Sequence, residues 1–192
     1  MTTNILKESS RGYDVIRPED VLLSMRNIYF TEEVTAQSAK ELIQLIQHLE
    51  NEDPDREIVL YINSPGGEVI SGLAVYDTLI GVSCPIRTVC IGTAASMGAI
   101  LFLAGEKRQI LPHAEVMIHD PLVNGLSGGK SALSFEKEAE KLMKTREMLG
   151  TIIAERTGRA LEEVYEKTKE DSFLDAEEAL EFGLATEIVK RA

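Results

Sequence analysis

Ser96 and His119 are the two side chains of this sequence whose types and settings could together do nucleophilic chemistry. Ser96 stands in "CIGTAASMGAILFLAG", where one apolar run gives way to another and a strand would turn into a helix. Backbone N–H groups in the first turn of a helix lack partners, and the helix dipole favours negative charge there. The amide of Met97 could therefore hold an oxyanion forming beside the serine oxygen. The competing use of such a serine is as an N-cap, in which its oxygen accepts a helix N–H instead. Small neighbours, Ala94, Ala95, Gly98 and Ala99, let another chain approach closely. His119 closes the run "AEVMIH" and precedes "DP", at the kind of strand end where open α/β sheets place their ligands.

A third group should orient the histidine, and spacing alone does not rank the acids. Asp120 is adjacent to His119, but neighbours on an extended chain point in opposite directions. Asp171, in "KEDSFLD", lies between a helix and a short apolar turn and is a candidate. The turn "SPGG" at Ser64 to Gly67 is a second strand end, where Gly66 and Gly67 free backbone amides for an anion or a peptide carbonyl. Such turns more often only connect elements. The other histidines read as structural: His48 on the charged end of a surface helix, and His113 in a strand-entry turn after Pro112. The chain order Ser, His, Asp matches none of the three common serine hydrolase orders, and there is no G-x-S-x-G elbow, which disfavours an α/β-hydrolase.

Positioning these residues requires a sheet. "NIYFTEE" reads as a strand, and "TAQSAKELIQLIQHLENED" sets Ala39, Leu42, Ile43, Ile46 and Leu49 at helical spacing. "EIVLYIN" is a continuous apolar run, as in a strand buried on both faces, and "EVISGLAVYDTLIGV" follows with a helical period. Then come a strand at "IRTVCIG", a short apolar helix at Ser96, and strands at "RQIL" and "AEVMIH". Alternation of this kind implies a parallel sheet with helices packed on it. The glycines and serines of "DPLVNGLSGGKSA" predict an irregular segment ahead of the longest helix, "LSFEKEAEKLMKTREMLGTIIAERTG". In that helix Ala139, Leu142, Met143, Leu149, Ile152 and Ile153 share a face, whereas its start is polar and should project from the core. Gly158 suits its end; "ALEEVYEKTK" and "DAEEALEFG" are two more helices, and "LATEIV" a closing strand.

At 192 residues the chain fits a single domain, residues 1–192, able to bury a core without staples. The two cysteines are too few for a disulfide framework, and Cys90 in "TVCIG" reads as a core residue. A net charge of −12, from 32 acids against 20 bases with no basic tract, argues against a nucleic-acid partner. "AASMGAILFLAG" falls short of the roughly 20 apolar residues a membrane crossing needs, and the first residues carry no signal-like apolar stretch. A cytoplasmic location is the expectation.

Four motifs, "YINSPGGEVISGLAVYDT", "GTAASMGA", "LPHAEVMIHDPL" and "DSFLDAEEALEFGL", closely resemble the proteolytic subunit of the Clp protease, a serine peptidase family. The resemblance runs from about Arg11 to Val189 and implies an α/β fold of the Clp-protease and crotonase type, a repeated ββα superhelix with a projecting strand-helix handle. It implies Ser96 as nucleophile, His119 as base and Asp171 as the acid, with the amides of Gly67 and Met97 as oxyanion donors. It also implies seven-membered rings stacked in pairs as a tetradecamer, with the handle in residues 122–158 and a pore segment in residues 1–20. An AAA+ unfoldase would feed unfolded proteins inward and would itself use the ATP, so no cofactor or metal is expected in this chain. Against the family pattern the pore segment is longer and contains Pro18, and Val59 and Gly81 replace aromatics of the docking pocket while Tyr61 remains. Weak docking of the usual unfoldase follows as an expectation. The resemblance also places Lys169 and Glu170 at the ring–ring plane, with charges inverted relative to the usual order, so that like rings attract and mixed rings repel. Two other readings compete: a catalytically weak subunit that shapes a ring, and a crotonase acting on acyl-CoA, which would share only the fold.

Overall fold

The structure, a computed structural model, describes residues 4–9, 12–122 and 131–190. It begins with two strands paired antiparallel, β1 (Ile5–Ser9) and β2 (Gly12–Ile16), then α1 (Pro18–Ser24) and β3 (Asn27–Phe30). Pro18 is no obstacle to α1, because at the first helical position its missing N–H would have had no partner. Helix α2 (Ala36–Glu52) starts at a capping box between Thr35 and Ser38 and buries Ala39, Leu42, Ile46 and Leu49, which carries the expected apolar face onto the sheet. There follow β4 (Ile58–Ser64), α3 (Val69–Gly81), β5 (Ile86–Ala95), α4 (Met97–Leu103), β6 (Lys107–Ile110) and β7 (Glu115–Ile118). The long helix α5 (Ala132–Thr157), α6 (Leu161–Thr168), β8 (Ser172–Leu174), α7 (Ala176–Phe182) and β9 (Glu187–Ile188) complete the described chain.

The expected mixed α/β architecture is present, and its sheet forks. Strands run parallel in the order β3-β4-β5-β6-β9. Ten-residue β5 pairs with β6 along Arg87–Cys90 and with β7 along Thr93–Ala95. The end of β5 and the end of β7 are thereby neighbours, and these are the ends that precede Ser96 and His119. One expectation needs correcting, since the sheet is not wholly parallel: β8, where the sequence suggests only a short apolar turn, adds to β7 antiparallel.

Strand β4 is buried on both faces, as its continuous apolar run implies. Ile58, Leu60 and Ile62 join the main core, while Val59 and Tyr61 meet Val89 in a second cluster, and Tyr61 stacks on Tyr29 with ring centroids 4.4 Å apart. Buried Arg26, at φ +65°, donates to the carbonyls of Leu49, Asp53, Arg56 and Glu57, satisfying chain ends around α2 and β4 without an acid partner among the described residues. Along α5 only Leu149, Gly150 and Ile153 are buried, so the polar first half stands clear of the core as expected. Met143, expected on the buried face, is instead 57% exposed and borders an open surface cavity that it shares with Ala139 and Tyr165. The glycine-rich strand expected in the handle lies outside the described residues.

Candidate active site

Ser96 sits in the bend between β5 and α4. Its N–H donates to the carbonyl of Met117 in β7 at 2.8 Å, which continues the β5–β7 ladder by one residue. Its backbone then turns sharply to φ 53°, ψ −118°. A non-glycine residue held there costs about 1–3 kcal/mol. All seven residues of α4 are buried, and fully burying a single leucine or phenylalanine contributes about 1.5–3 kcal/mol, so the packing of α4 easily holds the bend. Ser96 occupies the N-cap position, but its side chain caps nothing. The hydroxyl points to His119, with Oγ and Nε2 2.8 Å apart.

His119 follows β7, with its side chain only 13% exposed. Its other nitrogen, Nδ1, lies 3.4 Å from Asp171 Oδ1, a contact that falls short of a hydrogen bond. The antiparallel register explains the juxtaposition: Ile118 pairs with Ser172, so the residues just beyond, His119 and Asp171, come opposite each other. This could not be read from the sequence because β8 is three residues long. Asp120 turns away from His119, as expected; its carboxylate meets Arg146 and Thr168 instead.

Beside Ser96, the "SPGG" turn is pressed against the same bend. At Gly66 a Cβ would lie 2.6 Å from the Ala95 carbonyl and 2.8 Å from Ser96 Cβ, and at Gly67 (φ +147°) it would collide with Val34. Glycine is required at both. Val34 is tied to this turn through Gly66 O and Glu68 N, and neither bond uses the N–H of Gly67. With the N–H of Met97 at the start of α4, that leaves two amides beside Ser96, the arrangement an oxyanion needs. A cavity of 280 Å³ opens here, with Val69, Ile100, Leu122, Leu149 and Ile153 as its apolar wall and Glu33 at its edge. Helical spacing puts Leu149 and Ile153 on a core-facing stripe; what it could not show is that this stripe also lines the cleft.

The remaining candidates lie apart. His48 is on the surface with Glu52 3.7 Å away, and exposed His113 stands in the turn before β7. Lys169 and Glu170 follow α6 on the surface, where Lys169 Nζ lies 2.5 Å from Glu166 Oε2 and the hydrogen bond holds the lysine above its ordinary range. Among the described residues no cluster of histidine, cysteine or acidic side chains is placed to hold a metal, and no helix is long and apolar enough to cross a membrane.

A hydroxyl, an imidazole and a carboxylate in a row, beside two amides and an apolar cleft at the forked edge of an α/β sheet, have the geometry of a serine hydrolase. The family model of the Clp protease matches residues 8–192, and the chain belongs to that family, whose members are serine peptidases.

Proposed function

We propose that this chain is a serine endopeptidase in which Ser96 Oγ attacks a peptide carbonyl while His119 Nε2 takes its proton. The observation that carries the reading is the 2.8 Å contact between those atoms, made by a serine that leaves its helix uncapped. The carbonyl oxygen becomes an oxyanion held by the amides of Gly67 and Met97. Collapse breaks the C–N bond, His119 hands its proton to the leaving amine, and the acyl group stays on Ser96 as an ester. Water then attacks the ester, His119 again serving as base and acid, and the acid product leaves. Asp171 orients the imidazole and stabilises its cation. The apolar wall of the cleft fits an apolar side chain next to the scissile bond.

The working form in this proposal is a pair of heptameric rings, fed with unfolded chains by an AAA+ partner that uses the ATP. Exposed Leu133, Phe135 and Met143 on the first half of α5 give the handle apolar area to bury between rings. The β1–β2 pair would line the pore. Val59, which is buried, and Gly81 offer no aromatic surface, which supports weak docking of a standard unfoldase. Two unpaired thiols, Cys84 and Cys90, fit a reducing cytoplasm. One observation favours the second reading, a catalytically weak ring subunit: among the described residues His119 Nδ1 has no hydrogen-bond partner. Particle size together with cleavage of short fluorogenic peptides decides between them. Assembled rings that cleave, and stop cleaving in Ser96→Ala, support the peptidase; assembled rings without turnover support the weak subunit.

A further inference from the structure

His119 and Asp171 lie between two cross-links. On one side is the β7–β8 pair, with Ile118 opposite Ser172. On the other, Asp120 and Thr168 bond reciprocally: the Asp120 N–H donates to the Thr168 carbonyl at 2.7 Å, and the Thr168 hydroxyl donates to Asp120 Oδ1 at 2.8 Å. The second carboxylate oxygen, Oδ2, accepts from Arg146 Nε of α5 at 2.6 Å. Arg146 in turn lies over the Tyr165 ring of α6, 3.8 Å from its centroid. One side chain thus joins the segment carrying the base, the segment carrying the acid, and the long helix. Resting on the triad reading above, we propose that Asp120 is a positioning residue for the His119–Asp171 pair, and that Arg146 is the latch connecting it to α5.

The pair needs such help. Asp171 is 64% exposed, and among the described residues its carboxylate has no polar contact besides the one to His119 at 3.4 Å. Asp120 cannot substitute for it, since its side chain is committed elsewhere. It acts through the backbone instead: fixing residue 120 against residue 168 fixes how far 119 stands from 171. A shift of about 1 Å in such a pair is enough to cost on the order of 100-fold in rate.

The packing of α5 on α6 does not depend on this link. Gly150 lets the helices approach so closely that a Cβ there would lie 2.8 Å from Tyr165 Cε1, and Leu149 and Ile153 are buried alongside. What the Arg146–Asp120 bond adds is a connection from α5 to the base. Asp120→Asn would keep an acceptor for Thr168 while presenting an amide donor to Arg146, which cuts the latch alone; Asp120→Ala would remove both side-chain bonds.

The test uses the assembled protein, with kcat and KM on a fluorogenic peptide and the rate of fluorophosphonate reaction at Ser96. Asp120→Asn and Arg146→Met should each lower kcat on the order of 10-fold with KM nearly unchanged, and the double variant should be no worse than the weaker single variant. Arg146→Lys should recover most of the loss. In an Asp171→Ala chain the same substitutions should change the labelling rate by less than about twofold, because the pair they align is gone. Full kcat in both single variants, or losses equally large without Asp171, would overturn the proposal and leave the contact a simple staple. If Asp120→Asn fails to assemble, the kcat of Arg146→Met decides alone. An inert unmodified protein would instead overturn the peptidase reading itself.

Discussion

The two halves of the proposed catalytic row are built differently. The serine half is part of the core: Ser96 is locked between the β5–β7 ladder and fully buried α4, and Gly66 leaves no room for a side chain between the turn and the bend. The acid half stands at the surface, where a three-residue strand and the two reciprocal bonds between Asp120 and Thr168 hold Asp171 3.4 Å from the imidazole. Errors of a few tenths of an ångström on the first side would have to move the core, whereas on the second they cost little. Nucleophile and oxyanion geometry should therefore follow from folding, and the base–acid alignment from what surrounds the segment around residues 168–171, including other copies of the chain.

Substitutions can break this contrast. The largest loss is expected for Ser96→Ala, on the order of 10⁶ in kcat with assembly unchanged, read from peptide turnover. Asp171→Asn should retain the fold, because the carboxylate is exposed, and lose on the order of 10³ to 10⁴ in rate through the wrong imidazole tautomer. Full activity in that variant would remove Asp171 from the mechanism. Gly67→Ala forces a collision with Val34 and displaces one oxyanion donor, so a loss of about 10² to 10³ in kcat is expected, and unlike Asp171→Asn it should also lower the melting temperature.

The smallest effect sharpens the contrast at its exposed end. If Lys169 of one ring meets Glu170 of the next, the lysine must leave Glu166, its neighbour within the chain. Double rings should then loosen as salt rises, and activity should fall with them because Asp171 is adjacent. Native mass spectrometry should find Glu170→Arg as single rings and the exchange Lys169→Glu with Glu170→Arg as double rings. Intact double rings for Glu170→Arg would count against the pairing.

Legibility in the sequence follows the same division. Ser96 and His119 could be placed at strand ends from the apolar runs that precede them, ten-residue β5 and four-residue β7, while the resemblance assigned their roles. Strand β4 was readable as buried on both faces from the unbroken run "EIVLYIN". Asp171 could not be ranked by pattern, because a three-residue strand has no periodicity and only the resemblance singled it out. The β1–β2 pair carries no clear apolar alternation, whereas the start of α1 does leave a local signal in Pro18, Glu19 and Asp20. The positive φ of Arg26 and the Asp120–Arg146–Thr168 link depend on tertiary neighbours far along the chain, where local pattern is silent.

Whether Ser96 is a nucleophile made ready by the fold is tested directly by mass spectrometry of the assembled protein after reaction with a fluorophosphonate. Expected is one adduct per chain, on Ser96, absent from Ser96→Ala and formed slowly but still on Ser96 in Asp171→Asn. An assembled protein that remains unmodified, or one modified at another residue, would contradict the account.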